Sequence, residues 1–170
     1  FGYFRNFGKT RRQGIDVDLA GDVGAVHLTG HYTLLDATYR SGETVDGSGN
    51  SSSEHVAPGF EGEIDIERGD RIPLIPRHIF KTGARWKPVE MLSLSADMIA
   101  ISGVYARGNE NNDHEPDGVY YLGKGKTDAY AVVNFGAEIR PARQLTIFAQ
   151  LNNAFDKRYA TAAQLGATGF

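Results

Sequence analysis

A few places in this sequence carry residue types that could do chemistry. Asp16 and Asp18 alternate with Ile15, Val17 and Leu19, so on a strand both carboxylates share one face. Paired carboxylates serve acid–base chemistry or hold a cation. No residue nearby completes either site, and a solvated or interior-facing polar side accounts for the pair. His27 and His31 lie in a run rich in β-branched and aromatic residues, which favours a strand. On a strand they share a face but stand about 13 Å apart at ~3.3 Å per residue, too far for one metal ion. Gly118 to Lys124 spells the start of a phosphate-binding loop, but Gly125 stands where Ser or Thr is required and no helical pattern follows. Asn109 to Asp117 is acidic and amide-rich without the spacing of a calcium loop. Asn50-Ser51-Ser52 matches a glycosylation sequon and Arg68-Gly69-Asp70 an adhesion tripeptide; both are too short to carry a function. The chain therefore reads as neither an enzyme nor a holder of a metal or cofactor.

Composition narrows the class. The chain has 170 residues, 41% hydrophobic and 23% charged, which suits one domain or part of a larger one. With Cys 0, disulfides and thiolate chemistry are excluded. A net charge of -3 argues against a nucleic-acid surface. No apolar run is long enough for a transmembrane helix. A low mean hydropathy of -0.36 is compatible with a membrane barrel, whose interior-facing residues dilute the lipid-facing ones. Gly 21, Tyr 8 and Phe 9 fit many strands, many turns and aromatic girdles. Phe1 to Gln13 lacks the basic-then-apolar pattern of a signal peptide, so the start reads as internal.

The elements that must position these residues follow a period of two. Alternation runs through Gly14 to Leu19, Ala25 to Tyr39, His78 to Trp86, Leu92 to Ala100, Ala129 to Arg140, and from Leu145 to the polar, aromatic Asn153 to Tyr159. The expected turns are Gly21–Gly24, Lys87–Glu90 and Pro141–Gln144. Between them lie two long polar segments, Arg40 to Pro76 and Arg107 to Asp128. Phe1 to Lys9 reads as the end of a loop. Ser41 to Glu54 is a Gly/Ser-rich tract expected to be mobile, and Pro73 and Pro76 exclude a central strand there.

Short and long connections thus alternate, as they do in transmembrane barrels with short periplasmic turns and long extracellular loops. The strand runs match the ~9–11 residues of a tilted crossing rather than the ~5–6 of soluble strands. Tyr39, Tyr105, Tyr130, Phe155 and Tyr159 fall at the long-loop end and Trp86 at the short-turn end, as two girdles would. The alternating set Leu94, Val133, Phe135, Ile147 and Leu151 forms the lipid face. The opposite face carries Asp16, Asp18, Lys81, Arg85, Asp97, Glu138 and Arg140, too much charge for a dry core. The fold class is all-β, an antiparallel up-and-down meander of about six long strands, part of a transmembrane barrel.

Asn153, Phe155, Asp156 and Tyr159 form an N-x-F-D-x-x-Y phrase. With Ile72 to Phe80 and the strand opened by Arg12 to Asp16, this resembles the TonB-dependent outer-membrane receptors, over most of residues 1–170. The resemblance implies a 22-stranded barrel in the bacterial outer membrane. Its partners would be membrane lipid, an N-terminal plug domain in the lumen and TonB, met through an N-terminal box. Its work would be active uptake of a scarce nutrient, most often a ferric siderophore. Neither plug, box nor closing strand is recognisable here, so the chain reads as a piece of such a receptor. Two other classes remain open: a different membrane barrel, such as a passive porin or outer-membrane enzyme, and a soluble β-barrel or sandwich that binds a ligand. Cargo is expected to meet the loop from Arg107 to Tyr121, through Arg107, Asn109, Asn111, Asn112 and His114 as polar contacts and Tyr120 and Tyr121 as stacking rings.

Overall fold

The computed structural model describes residues 8–47, 62–116 and 123–165. In chain order its strands are β1 (Thr10–Val23), β2 (Val26–Tyr39), β3 (Glu43–Asp46), β4 (Glu63–Ile66), β5 (His78–Val89), β6 (Leu92–Ile101), β7 (Tyr130–Ala142) and β8 (Leu145–Leu151). Six of them form one antiparallel sheet in the order β1-β2-β5-β6-β7-β8, and β3 and β4 pair as a separate hairpin. The expected meander of six long strands is present, and no helix lies among the described residues.

The short turns are tighter than the sequence suggests, because the strands run further into them. β1 continues through Gly21 and Asp22, leaving Gly24 and Ala25 as the turn, with Gly24 at φ 61. That left-handed conformation is what a two-residue hairpin needs, and glycine adopts it without strain. β5 extends to Val89 and β7 to Ala142 through irregularities between Trp86 and Val89 and between Ile139 and Ala142. Pro88 and Pro141 sit inside these two bulges. A bulge tolerates a residue with no N–H to give to the ladder, which is why proline did not end the strand.

The register sorts the sheet into two faces. Directly opposed residues point the same way, so Ile15↔Leu34, Trp86↔Leu94, Met98↔Val133 and Ile139↔Ile147 belong to a single face. Leu94, Val133, Phe135, Ile147 and Leu151 lie on it, as expected. Many of its large side chains are exposed, among them Leu19 at 71%, Ile147 at 53% and Leu151 at 57%. A soluble sandwich would bury this face against a second layer. Polar groups on this face are satisfied locally: the Thr82 hydroxyl donates to the Thr29 carbonyl at 2.9 Å, and the Tyr32 hydroxyl pairs with His78 Nδ1 at 2.8 Å.

The buried core lies at the long-loop end. Tyr39, Ile64 and Ile66 are buried together, with Val45 and Ile72 packed against them. This region departs from the loop expected of its sequence: Glu43–Asp46 of the expected mobile tract is strand β3 and pairs with β4. Ile64 and Ile66 alternate with Glu63 and Asp65, a signal too short to stand out beside the longer runs. Residues 48–61 lie outside the described region, as do 1–7, and so does the sequon. Residues 69–77 double back along β2: Tyr39 N–H donates to Asp70 O, Ile72 N–H to Ala37 O and Leu35 N–H to Arg77 O.

The two faces differ in what they tolerate. Replacing Phe135, midway along β7, with Arg should destabilise the barrel in lipid by about 2–4 kcal/mol, as arginine does at a bilayer midplane. Gln150→Arg on the other face should cost far less. Equal losses in lipid-reconstituted unfolding of the complete protein would contradict the facing.

Candidate functional site

The polar face is built in rows across the strands. Asp22 faces His27, which faces Arg85; four residues along each strand, Asp18 faces His31, which faces Lys81. Each row therefore orders carboxylate, imidazole and cation. Asp22 Oδ1 lies 2.7 Å from His27 Nδ1, and Asp18 Oδ1 lies 2.6 Å from His31 Nδ1. His31 Nε2 reaches Thr33 Oγ1 at 2.9 Å, and that hydroxyl donates to Asp16 Oδ1 at 2.6 Å. The carboxylates and histidines that the sequence offered separately are thus partners of one another. Beside the Asp18–His31–Lys81 row lies a recess of about 500 Å³ edged by Thr29, Gly83 and Asp97. A Cβ on Gly83 would come within 3.0 Å of both Thr29 Oγ1 and Asp97 Oδ1, so glycine permits their approach. Among the described residues no group of three acidic or histidine side chains could hold a metal ion.

The expected cargo loop is folded tightly at its base. Ala106 N–H donates to Gly125 O at 2.9 Å and Thr127 N–H to Val104 O at 2.8 Å, extending the β6–β7 hairpin. Asn109 is only 1% exposed. Its Nδ2 donates to Gly125 O at 2.8 Å and its Oδ1 accepts from His114 N at 3.1 Å. His114 Nε2 meets Gly123 O at 2.9 Å, an arrangement that places the proton on Nε2. Asn112 sits at φ 64, accepts from Arg71 N at 2.7 Å and donates to Arg71 O at 3.0 Å. Asn111 Oδ1 accepts from Asp113 N at 3.4 Å. Arg107 is exposed, and its backbone pairs with Ala163 and Leu165. Asn109, Asn112 and His114 are thereby brought together, with Asn109 and His114 bonded to the loop's own backbone and Asn112 to that of Arg71 in the other long loop. Tyr120 and Tyr121 lie outside the described residues.

Beside this loop stands a group the sequence reading did not single out. The Arg71 guanidinium lies 5.8 Å from the centroid of the Tyr105 ring, and Lys126 Nζ lies 5.0 Å from it. Both are within cation–π reach. Tyr105 is expected in an aromatic girdle, and its ring engages two cations. Spacing gave no signal, because loop pairing brings the three residues together. Nearby, burial pushes the Asp70 carboxyl above its usual range, opposed by the Glu67 N–H bond and reinforced by the charges of Asp113 and Glu67. Tyr39 lies in the loop core above the last β2–β5 pair, Leu34↔His78. Burial, with Glu110 and Asp70, pushes its phenol up to about 12.

The Asn153 to Tyr159 phrase forms a corner. β8 ends at Leu151, and Asn153 and Asp156 adopt φ 49 and φ 48. The Asn153 side chain bonds Lys157 twice, through Nδ2 to O at 3.1 Å and through Oδ1 from N at 2.9 Å. Its own N–H donates to Asn134 Oδ1 at 2.9 Å. Asp156 N–H closes onto Asn153 O at 2.9 Å, Phe155 is exposed, and Tyr159 stacks on Tyr130 at 4.3 Å.

The family TonB dependent receptor-like, beta-barrel matches residues 1–154, and the chain belongs to it. That family is one of receptors. Among solved structures, the chain is similar to the siderophore receptor PiuA from Acinetobacter baumannii, with 18% identity and TM-score 0.69 over 96% of this chain and 20% of that one. It is also similar to the ferric-catecholate import receptor Fiu from E. coli K12. The open form gives 18% identity and TM-score 0.60 over 92% of this chain and 18% of that one. The closed form gives 20% identity and TM-score 0.62 over 95% and 19%. The chain thus spans about a fifth of the length of these receptors. No curated protein matches it.

The corner is testable. Asn153→Ala removes two side-chain bonds and places a Cβ-bearing residue without a local side-chain partner at positive φ. It should cost about 1–3 kcal/mol in reversible unfolding of the complete protein. Asn153→Gly keeps the backbone conformation and should cost less. Equal stability of wild type and Asn153→Ala would exclude a clamp.

Proposed function

We propose that this chain forms part of the barrel wall of a TonB-dependent receptor in the bacterial outer membrane, and that the receptor imports a scarce nutrient, a ferric siderophore. The observation that carries this reading is the segregation of the sheet. One face is apolar and exposed, the other is charged and recessed, and the long loops gather at one end around their own small core. An apolar band facing lipid and a wet interior are what a membrane barrel requires. The siderophore assignment draws on the printed descriptions of PiuA and Fiu.

In this reading the rows of Asp, His and cation face an N-terminal plug domain that fills the lumen. TonB, meeting an N-terminal box, supplies the energy. The loop around Asn109 to Asp117 stands on the cargo's path. Its internal hydrogen bonds fix the loop's shape, and Arg107 with Tyr120 and Tyr121 supplies contacts to cargo.

The test uses the complete receptor in its own cell under iron limitation. Growth on a ferric siderophore as sole iron source should require both the receptor and TonB. Uptake through the receptor that persists without TonB would indicate a passive pore. Deleting Asn109 to Asp117 should weaken siderophore binding while the amount of folded barrel is unchanged; unaltered affinity would remove this loop from the cargo site.

A further inference from the structure

We propose that a recess on the lipid face, at the long-loop end of β5, β6 and β7, binds a phosphorylated, multiply acylated lipid of the outer leaflet, with an acyl chain along its floor and a phosphate at its rim. This rests on the membrane-wall reading above and adds a ligand distinct from the cargo.

The floor follows from the register. Phe80 faces Ala100 and Ala100 faces Ala131, so the three form one row on the lipid face. Two alanines in succession beside a phenylalanine leave a trough, and the recess there encloses about 380 Å³. Its depth in the bilayer follows from strand geometry. Ala131 lies four residues along β7 from Phe135, about 13 Å at ~3.3 Å per residue. Half of a hydrocarbon core is roughly 15 Å thick, so the trough opens where acyl chains meet their headgroups.

The rim supplies donors. His78, Ser102 and Lys157 border the same recess. Ser102 Oγ accepts from Arg77 N–H at 3.0 Å and from His78 N–H at 3.1 Å. Both its lone pairs are then used, and its own proton is left to give. The Tyr32 hydroxyl occupies His78 Nδ1, while Nε2 has no partner among the described residues. Lys157 is exposed, and Asn153 bonds both its N–H and its carbonyl. The corner that ends β8 therefore also fixes where this lysine stands. Among the described residues no carboxylate lies within ion-pair distance of Lys157. Asp128, next to the border residue Ala129, pairs with Lys124 instead, at 3.5 Å.

Three donors without a carboxylate, set above an apolar trough, complement an anionic headgroup above an acyl chain. A phosphate offers both negative charge and several acceptor oxygens, and charge-assisted bonds to it are the strong ones. Water is scarce at this depth, which strengthens the attraction. A protein partner is disfavoured, because covering an apolar wall already in lipid gains no hydrophobic free energy.

The experiment titrates the complete receptor in detergent with diphosphoryl lipid A and with its dephosphorylated form, and native mass spectrometry reads the tightest-held copy. Heat-modifiable gel migration checks that each variant is folded. The wild type should hold the diphosphoryl form about tenfold or more tighter than the dephosphorylated one. The His78→Gln, Lys157→Gln double variant should lose most of that preference, while Ala131→Phe, which fills the floor, should weaken both forms. Equal affinity of the wild type for the two forms, or affinities unaltered in both variants, would overturn the site. Inorganic phosphate that binds as tightly as the lipid and displaces it would assign the donors to a free anion and overturn the lipid site as well. Each of these failures leaves the siderophore reading standing, since growth and uptake test it separately. A complete protein that does not enter bilayers would overturn both.

Discussion

Strand register is the constraint on which the rest of this structure depends. Side chains alternate strictly along every strand, so a slip of one residue between any two neighbours would exchange the faces. Asp16, Asp18, Lys81 and Asp97 would then meet lipid, and Ile15, Leu34, Phe135 and Ile147 the interior. Both errors carry a desolvation or exposure cost, and they repeat at each pair along the strand. The unbroken ladders Thr10↔Tyr39 to Val23↔Val26 and Val26↔Trp86 to Leu34↔His78 are the form this constraint takes. The cross-strand bonds Asp22–His27, Asp18–His31 and Asp16–Thr33 exist only in this register and reinforce it.

At the ends of the sheet, where that pressure lapses, other devices take over. The bulges holding Pro88 and Pro141 absorb an extra residue near the short turns and return each strand to its proper face. At the outer end Asn112 and Asn153 use positive φ and side-chain amides to fold the chain back on itself. Asparagine suits both positions because its short amide replaces backbone partners and tolerates the left-handed region. The outer loops then pack around Tyr39, Ile64 and Ile66, a small core remote from the lipid face.

Much of this was legible in the sequence because it repeats. Alternation through Leu92 to Ala100 or Ala129 to Arg140 fixes strand, face and approximate length, and the contrast of short and long connections fixes the architecture. Turn positions were less legible, since Gly21 and Pro141 punctuate most chains but here sit within strands. The β3–β4 hairpin was hidden by its brevity and its Gly/Ser-rich neighbours. The candidate site was legible in part. The loop that carries it was, but a sequence does not show that Asn109 and His114 bind the loop's own backbone, or that Asn112 binds that of Arg71. Nor does it show that Arg71 and Lys126, far apart in the chain, share the ring of Tyr105.

The central claim is that this sheet is a membrane wall with one face in lipid. The most direct measurement uses the absence of native cysteine in this chain. Spin labels attached after single cysteine substitutions at consecutive positions from Ala131 to Ile139, in the complete receptor in lipid bilayers, would report access to oxygen and to a water-soluble relaxation agent. A period of two is predicted, with Val133, Phe135 and Ala137 open to oxygen and closed to the aqueous agent, and Asn134, Gly136 and Glu138 shielded from lipid-dissolved oxygen. Accessibility without that period, or greater aqueous access at Val133 and Phe135 than at their neighbours, would contradict the account.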